Sequence, residues 1–197
     1  NYMPYTDEQV IDLLIQMKQK IPKYCRIMRV MREIQSEYVV EGNSRLDLRK
    51  EAKEKMDRLG LKCNCIRCRE IGFASKNKMK ISKELTIKRL KYNASGGKEI
   101  FLESSTKEGI LHGICRLRVV GKSLFVRELH VYGAQAKIGE SGDIQHKGIG
   151  SQLMQEASKI AKEFKCENLK VISGIGVREY YKKLGYRLEG PYMIKKA

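Results

Sequence analysis

The order of residue patterns predicts an α+β fold, a mixed central sheet flanked by helices, with a small helical segment ahead of it. Three observations carry this. Short, alternating, β-prone runs follow one another at 84–92, 98–104, 110–120 and 124–132. A glycine-bearing loop then runs into a strongly amphipathic helix pattern at 149–165. Before residue 81, the clearest elements are two helices and a crowd of cysteines. Two regions are expected on this basis: residues 1–80 and residues 81–197.

In the first region, Thr6 and Gln9 have capping-box spacing and open a helix at 7–20 that Pro22 follows. Val10, Leu13, Leu14 and Met17 are expected to form its apolar face. Residues 24–34 fit strand or helix equally, and 36–43 read as loop. A second helix is expected at 44–59, with Ala52, Met56 and Leu59 on one face and Gly60 as its left-handed stop. After the cysteines, an unpunctuated basic linker is expected to run to about Lys80.

In the second region, 124–132 (LFVRELHVY) is the strongest strand. Residues 133–144 form a Gly- and Ser-containing loop. On the helix at 149–165, Leu153, Met154, Ala157, Ile160, Ala161 and Phe164 share a face. Residues 169–173 read as a buried strand parallel to 124–132. Residues 177–184 read as a short helix stopped by Gly185, and 186–195 as one closing strand.

The charge balance limits the partners. Forty Lys and Arg against 23 Asp and Glu give +17. So basic a chain attracts polyanions through counterion release, and nucleic acid leads a solvated lysine-rich surface as the explanation. Lys18, Lys20, Lys23, Arg26, Arg29 and Arg32 fall between Leu13 and Arg32 with no acidic residue among them. Lys76, Lys78 and Lys80 form a second cluster. No apolar run reaches membrane-spanning length, and Asn1–Pro4 shows no secretory pattern. A reducing, cytoplasmic setting is expected.

In such a setting, clustered cysteines read as metal ligands before disulfides. Cys63, Cys65 and Cys68 supply three corners of a zinc tetrahedron. Cys25 is the best fourth, because Cys115 and Cys166 fall inside predicted core elements. Iron–sulfur is the competing metal, and three adventitious thiols are the bland alternative. A zinc here is expected to be structural.

The segment Gln145-His146-Lys147-Gly148-Ile149-Gly150 enters the amphipathic helix. Helix N-termini expose unpaired amides and a positive dipole end, and glycines let a phosphate approach them. Two glycines before a helix are a weak signal alone. The preceding strand, the following strand and Tyr180-Tyr181-Lys182-Lys183-Leu184-Gly185-Tyr186 strengthen it. His146 and Lys147 add positive charge to the loop or face solvent.

Together these motifs resemble the GNAT acetyltransferase family, with Gln-x-x-Gly-x-Gly followed by a Tyr four residues before a Gly–aromatic pair. The resemblance implies acetyl-CoA as cofactor. It implies that Glu128, Leu129, His130 and Val131 offer a strand edge to the pantetheine arm. Gln145, Gly148, Ile149, Gly150 and Ser151 would then hold the pyrophosphate. It places the Tyr181 hydroxyl near the coenzyme sulfur, where a phenol protonates a departing thiolate. At most one of Tyr180 and Tyr181 is expected to face the ligand, because adjacent helical residues point about 100° apart. Glu128 as a general base needs a cleft, and His130 is expected to pack rather than react.

The wording of VRELHVYG, QHKGIG and VISGIGVREYYKKLGYRLEGPYMIKK resembles, more narrowly, the catalytic-subunit family of the Elongator complex and its archaeal and bacterial relatives. The segment LRKEAKEKMDRLG and Arg67-x-Arg69-Glu70-Ile71-Gly72 agree. That resemblance implies modification of tRNA uridine 34 with acetyl-CoA. Residues 1–80 would be the tail of a radical S-adenosylmethionine domain plus a cysteine-rich linker, and 81–197 the acetyltransferase domain. S-adenosylmethionine and a 4Fe-4S cluster belong only to the full-length protein, since Cys63-x-Cys65-x-x-Cys68 lacks the radical-domain spacing. Lys23, Arg26, Arg29 and Arg32 would border the tRNA surface, and other Elongator subunits would be partners if the protein is eukaryotic. A protein-lysine acetyltransferase and a non-catalytic tRNA-binding module are the alternatives.

Overall fold

The computed structural model describes residues 3–32, 34–43, 45–76, 81–82, 84–133 and 148–197. The chain divides into two compact units, Asn1–Arg69 and Glu70–Ala197.

The first unit is helical. Helix α1 (Asp7–Lys20) starts on the expected capping box: the Gln9 amide donates to Thr6 Oγ1, and the Thr6 amide donates to Gln9 Oε1 at 2.9 Å. Its buried face differs from the expected one. Ile15 and Lys18 are buried, with Ile11 and Leu14 beside them, whereas Leu13 and Met17 are about half exposed. Positions 11, 14, 15 and 18 also have helical spacing, but the lysine at 18 disguised that face as polar. Helix α2 (Leu48–Arg58) is shorter than expected and buries Ala52 and Met56 against Ile15. Leu59 lies outside it and is exposed, and Gly60 stops it at φ +68°. Residues 24–32 form no helix or strand, and a short 3₁₀ turn occupies Ser36–Tyr38. Helix α3 (Ile66–Arg69) closes the unit over the last of the clustered cysteines.

The second unit begins with helix α4 (Ile71–Lys76). It then builds a seven-stranded sheet: β1 (Thr86–Ala94), β2 (Gly97–Ser105), β3 (Leu111–Val120), β4 (Ser123–Val131), β5 (Asn168–Ile172), β6 (Arg187–Glu189) and β7 (Tyr192–Lys196). The strand order is β1-β2-β3-β4-β5-β7-β6, and only the β4–β5 pair is parallel. Helix α5 (Ile149–Glu163) makes that crossover. It buries Leu153, Met154, Ala157, Ile160 and Ala161 against Leu102, Cys115, Leu117, Leu124 and Leu169. Helix α6 (Arg178–Lys183) connects β5 to the closing hairpin.

The single closing strand expected at 186–195 is a hairpin. Gly190, at φ +55°, turns the chain before Pro191, so β6 and β7 pair antiparallel. The Gly-Pro pair was the signal for this turn. At Gly113, an added Cβ would meet Ile149 Cγ2 at 2.9 Å and Leu153 Cδ1 at 3.2 Å. The bare backbone there lets the first turn of α5 lie directly on β3, which fixes the helix start relative to the sheet.

Candidate active site and metal centre

The sheet opens at its centre. Strands β4 and β5 pair only from Ser123↔Asn168 to Val126↔Val171. Strand β4 continues to Val131, whereas β5 ends at Ile172. On the other side, Arg116 opposes Glu128 and Leu117 opposes Val126, so Arg127 is an extra, unopposed residue. This β-bulge bends β4 away from β5. The edge of β4 beyond it therefore has no parallel neighbour among the described strands.

The start of α5 faces this opening. Gly148 takes the left-handed conformation (φ +74°) just before it, and the Gln152 amide makes the first intrahelical bond, to the Gly148 carbonyl at 2.8 Å. The amides of Ile149, Gly150 and Ser151 precede that bond and have no carbonyl of their own helix to reach. A cleft of about 320 Å³ lies between these parts, lined by Leu129, Val131, Gly148, Gly150, Ser151, Val177, Tyr180 and Tyr181. Thus Leu129 and Val131 of the expected strand edge meet Gly148, Gly150 and Ser151 of the expected phosphate loop. Glu128 and His130 alternate to the other face of β4. There Glu128 pairs with Arg116 at 3.4 Å, and the His130 ring is exposed, 4.5 Å from that of Tyr132. Gln145, His146 and Lys147 lie outside the described residues.

Both adjacent tyrosines border the cleft, where one was expected to. Their rings meet edge to face with centroids 5.1 Å apart, and Tyr181 makes a second such contact with Tyr186 at 5.8 Å. A cleft spanning this corner touches two neighbouring helical positions despite their 100° separation. The Tyr180 hydroxyl is buried beside Gly150 and has no hydrogen-bond partner among the described residues. Burial pushes the Tyr181 phenol up to about 12, aided by Tyr180 and Cys115. Burial also raises Tyr180. Both phenols are proton donors at neutral pH.

The sequence reading did not single out Val177 or the bulge at Arg127. A bulge leaves no pattern in a single strand, because it exists only in the register against a partner.

In the first unit, the sulfurs of Cys63, Cys65 and Cys68 lie within 4.8 Å of one another. Three thiolates on a zinc ion stand about 3.8 Å apart, given Zn–S bonds of about 2.3 Å, so a small contraction closes the set. The thiols of Cys63 and Cys68 donate to Cys65 and pull its ionisation well down. Lys18, 2% exposed, places Nζ 3.8 Å from Cys68 Sγ. A buried lysine beside sulfur fits a cluster that carries negative charge. The donor chemistry suits a soft divalent ion. Cys25 does not join the sulfur cluster. Its contribution is a backbone carbonyl, which accepts from the Ile66 amide at 2.9 Å. The sequence named Cys25 by elimination among the remaining cysteines, which carries no geometric information.

Of the expected RNA-contacting residues, Lys23, Arg29 and Arg32 are exposed and Arg26 is half-buried. They occupy irregular backbone, so their three-residue spacing does not give them a shared face.

Comparisons with known proteins agree with this geometry. Residues 100–186 match the acetyltransferase (GNAT) family. Over 98% of its length the chain is 41% identical to a tRNA uridine(34) acetyltransferase of Dehalococcoides mccartyi, covering 45% of that protein. It is 38% identical to Elongator complex protein 3 of Schizosaccharomyces pombe, again over 98% of its length and covering 38% of that protein. The solved archaeal Elp3 of Methanocaldococcus infernus, with an N-terminal deletion, matches all of this chain at a TM-score of 0.89 and 37% identity, over 50% of that chain. The chain spans less than half the length of these two curated relatives.

Proposed function

From a chain that carries a GNAT acetyltransferase domain at residues 100–186, we propose an acetyl-CoA-binding, thioester-cleaving unit of a tRNA uridine(34)-modifying enzyme. The observation that carries this is the opening between β4 and β5 with the free first-turn amides of α5 at its mouth. An extended amide-bearing ligand pairs with an open strand edge, and its phosphates take the helix amides.

In this reading the pantetheine arm lies along Glu128, Leu129, His130 and Val131. The pyrophosphate sits on the amides of Ile149, Gly150 and Ser151, with Gly148 shaping the entry. Water attacks the thioester carbonyl and gives up its protons to solvent, the carbon–sulfur bond breaks, and acetate and the coenzyme thiolate leave. Tyr181 gives its phenolic proton to that thiolate and recovers one from solvent. Its buried phenol stays protonated well above neutral pH and is never lost to ionisation in the working range. In the complete reaction the two-carbon unit of acetyl-CoA is destined for uridine 34.

The cysteine trio is assigned to a structural zinc, whose fourth ligand lies outside the trio. The ion would cross-link residues 63–68 and stabilise the helical unit. S-adenosylmethionine, its 4Fe-4S cluster and any Elongator partners are assigned to the portion of the relatives that this chain does not span. A cytoplasmic setting accompanies this reading. Among the described residues no helix is long and apolar enough to cross a membrane.

The +17 charge favours RNA over basic histone tails as the acceptor, since like charges repel. The test is release of coenzyme A thiol from acetyl-CoA with and without tRNA. Stimulation by tRNA is expected. Acetylated histone instead would establish a protein-lysine acetyltransferase. RNA binding with no coenzyme binding by calorimetry would leave only a binding module.

A further inference from the structure

The sheet face turned away from α5 has a composition that the acetyltransferase reading does not use. The registers align Arg118, Phe125, Lys170, Ile194 and Arg187 in one cross-strand row from β3 to β6. Their strand neighbours Leu124, Leu169 and Met193 point the other way, into the α5 core. In the next row, Ile172 opposes Tyr192. Phe125 and Tyr192 meet edge to face with centroids 5.8 Å apart, and Lys170 Nζ stands 5.8 Å over the Phe125 ring. Both rings are half-buried, Arg187 is exposed, and Ile172 is 70% exposed. Aromatic faces, short apolar edges and cations thus alternate on an outward-facing half-sheet.

The charges on this face have one sign left over. Glu99 is spent on Arg118 and Arg127, at 2.9 and 2.6 Å, and Glu189 is spent on Arg187. Lys170 lies over an aromatic ring, and Lys196 is exposed at the end of β7. Residues 70–197 hold 25 Lys and Arg against 13 Asp and Glu, so this unit carries most of the chain's excess. A second copy of the chain pairing through this face would meet the same surplus of cations. A ligand with flat rings and a repeating negative charge fits instead. Sheet-borne aromatics flanked by cations stack the bases of single strands and neutralise their phosphates.

We propose that this face binds single-stranded RNA, with unpaired bases on Phe125 and Tyr192 and phosphates near Lys170 and Lys196. The face adjoins the point where β4 leaves β5. RNA held there lies beside the opening through which a thioester would be presented, an alignment that rests on the function proposed above.

The test uses the full 197-residue chain and three probes: fluorescent octauridylate, an RNA duplex of equal phosphate count, and tRNA. Phe125→Leu and Tyr192→Ser should weaken octauridylate binding about five- to tenfold and leave the duplex within twofold. Lys170→Gln should lower the salt slope by about 0.7, one single-strand phosphate contact. Thermal midpoints and coenzyme A affinity are measured in parallel, and both should stay at wild-type values. If an aromatic variant fails to fold, Lys170→Gln and Lys196→Gln carry the test alone. Wild-type octauridylate affinity and salt slope in folded variants would overturn the proposal. So would a face whose substitution abolishes a dimer in sedimentation but not RNA binding. Absence of any RNA binding by the wild-type chain would overturn the RNA acceptor reading too, whereas intact tRNA binding with insensitive variants overturns this face only.

Discussion

The Tyr180 hydroxyl occupies the space that a side chain at Gly150 would need: a Cβ built on Gly150 would stand 2.8 Å from that oxygen and 3.7 Å from Tyr180 Cζ. The two conspicuous glycines of the loop therefore serve different ends. Gly148 has nothing within 4 Å of an added Cβ, but its φ of +74° is one that L side chains rarely adopt. Gly150 is required by a neighbour, the protein's own tyrosine.

This relationship predicts a rescue. Gly150→Ala alone should destabilise the chain by about 1–3 kcal/mol through overpacking and weaken coenzyme A binding. In a Tyr180→Phe background the offending oxygen is gone, and the ring carbon at 3.7 Å is in ordinary contact. The double variant should regain most of the loss. Thermal melts and calorimetry on the four combinations measure the coupling. Additive losses would refute the contact.

Tyr181→Phe removes the proposed acid while keeping the ring in its contacts with Tyr180 and Tyr186. Acetyl-CoA hydrolysis should slow by about 10²-fold in kcat, within the usual range for acid catalysis, with KM little changed. An unchanged kcat would end its catalytic role.

The same tyrosines set a pH dependence of stability. Burial raises Tyr180 and Tyr186, and takes Tyr181 up to about 12 from the ordinary tyrosine value near 10. Above pH 10 the unfolded chain loses phenolic protons that the folded chain retains. The folded state then holds more protons, so unfolding free energy falls as pH rises. The stabilisation is complete below about pH 10 and is lost toward pH 12. Urea melts between pH 8 and 11 should show the decline, and Tyr181→Phe should flatten it.

For the metal, purified protein should contain one zinc per chain by elemental mass spectrometry. Cys65→Ser should lose it, and Cys25→Ser should retain it, because the Cys25 sulfur stands outside the cluster. Lys18→Met should weaken zinc retention against a chelator, since Nζ lies 3.8 Å from Cys68 Sγ. Loss of zinc in Cys25→Ser would restore that residue as a ligand.

Arg29→Glu with Arg32→Glu tests the first unit's share of RNA binding. Both side chains are exposed. The pair should weaken tRNA binding and lower its salt slope by about 2. Unchanged filter-binding curves would remove this segment from the footprint.

Sequence alone determined the succession of the first five strands of the second unit, the capping box of α1, the apolar face of α5 and the resemblance to acetyltransferases. Those are local properties: alternation, 3.6-residue periodicity and short motifs depend on neighbours along the chain. Tertiary structure decided the rest. The Arg127 bulge exists only against β3, and the buried face of α1 was hidden because its lysine lies beside a cysteine fifty positions later. The fold brought the sulfurs of Cys63, Cys65 and Cys68 together without that of Cys25, and the closing strand became a hairpin when Gly190 turned it back on β6. The cleft itself belongs to this second class. The sequence located its glycines, but only packing showed that Gly150 makes room for Tyr180, because an excluded volume depends on which atoms the fold brings within a few ångströms.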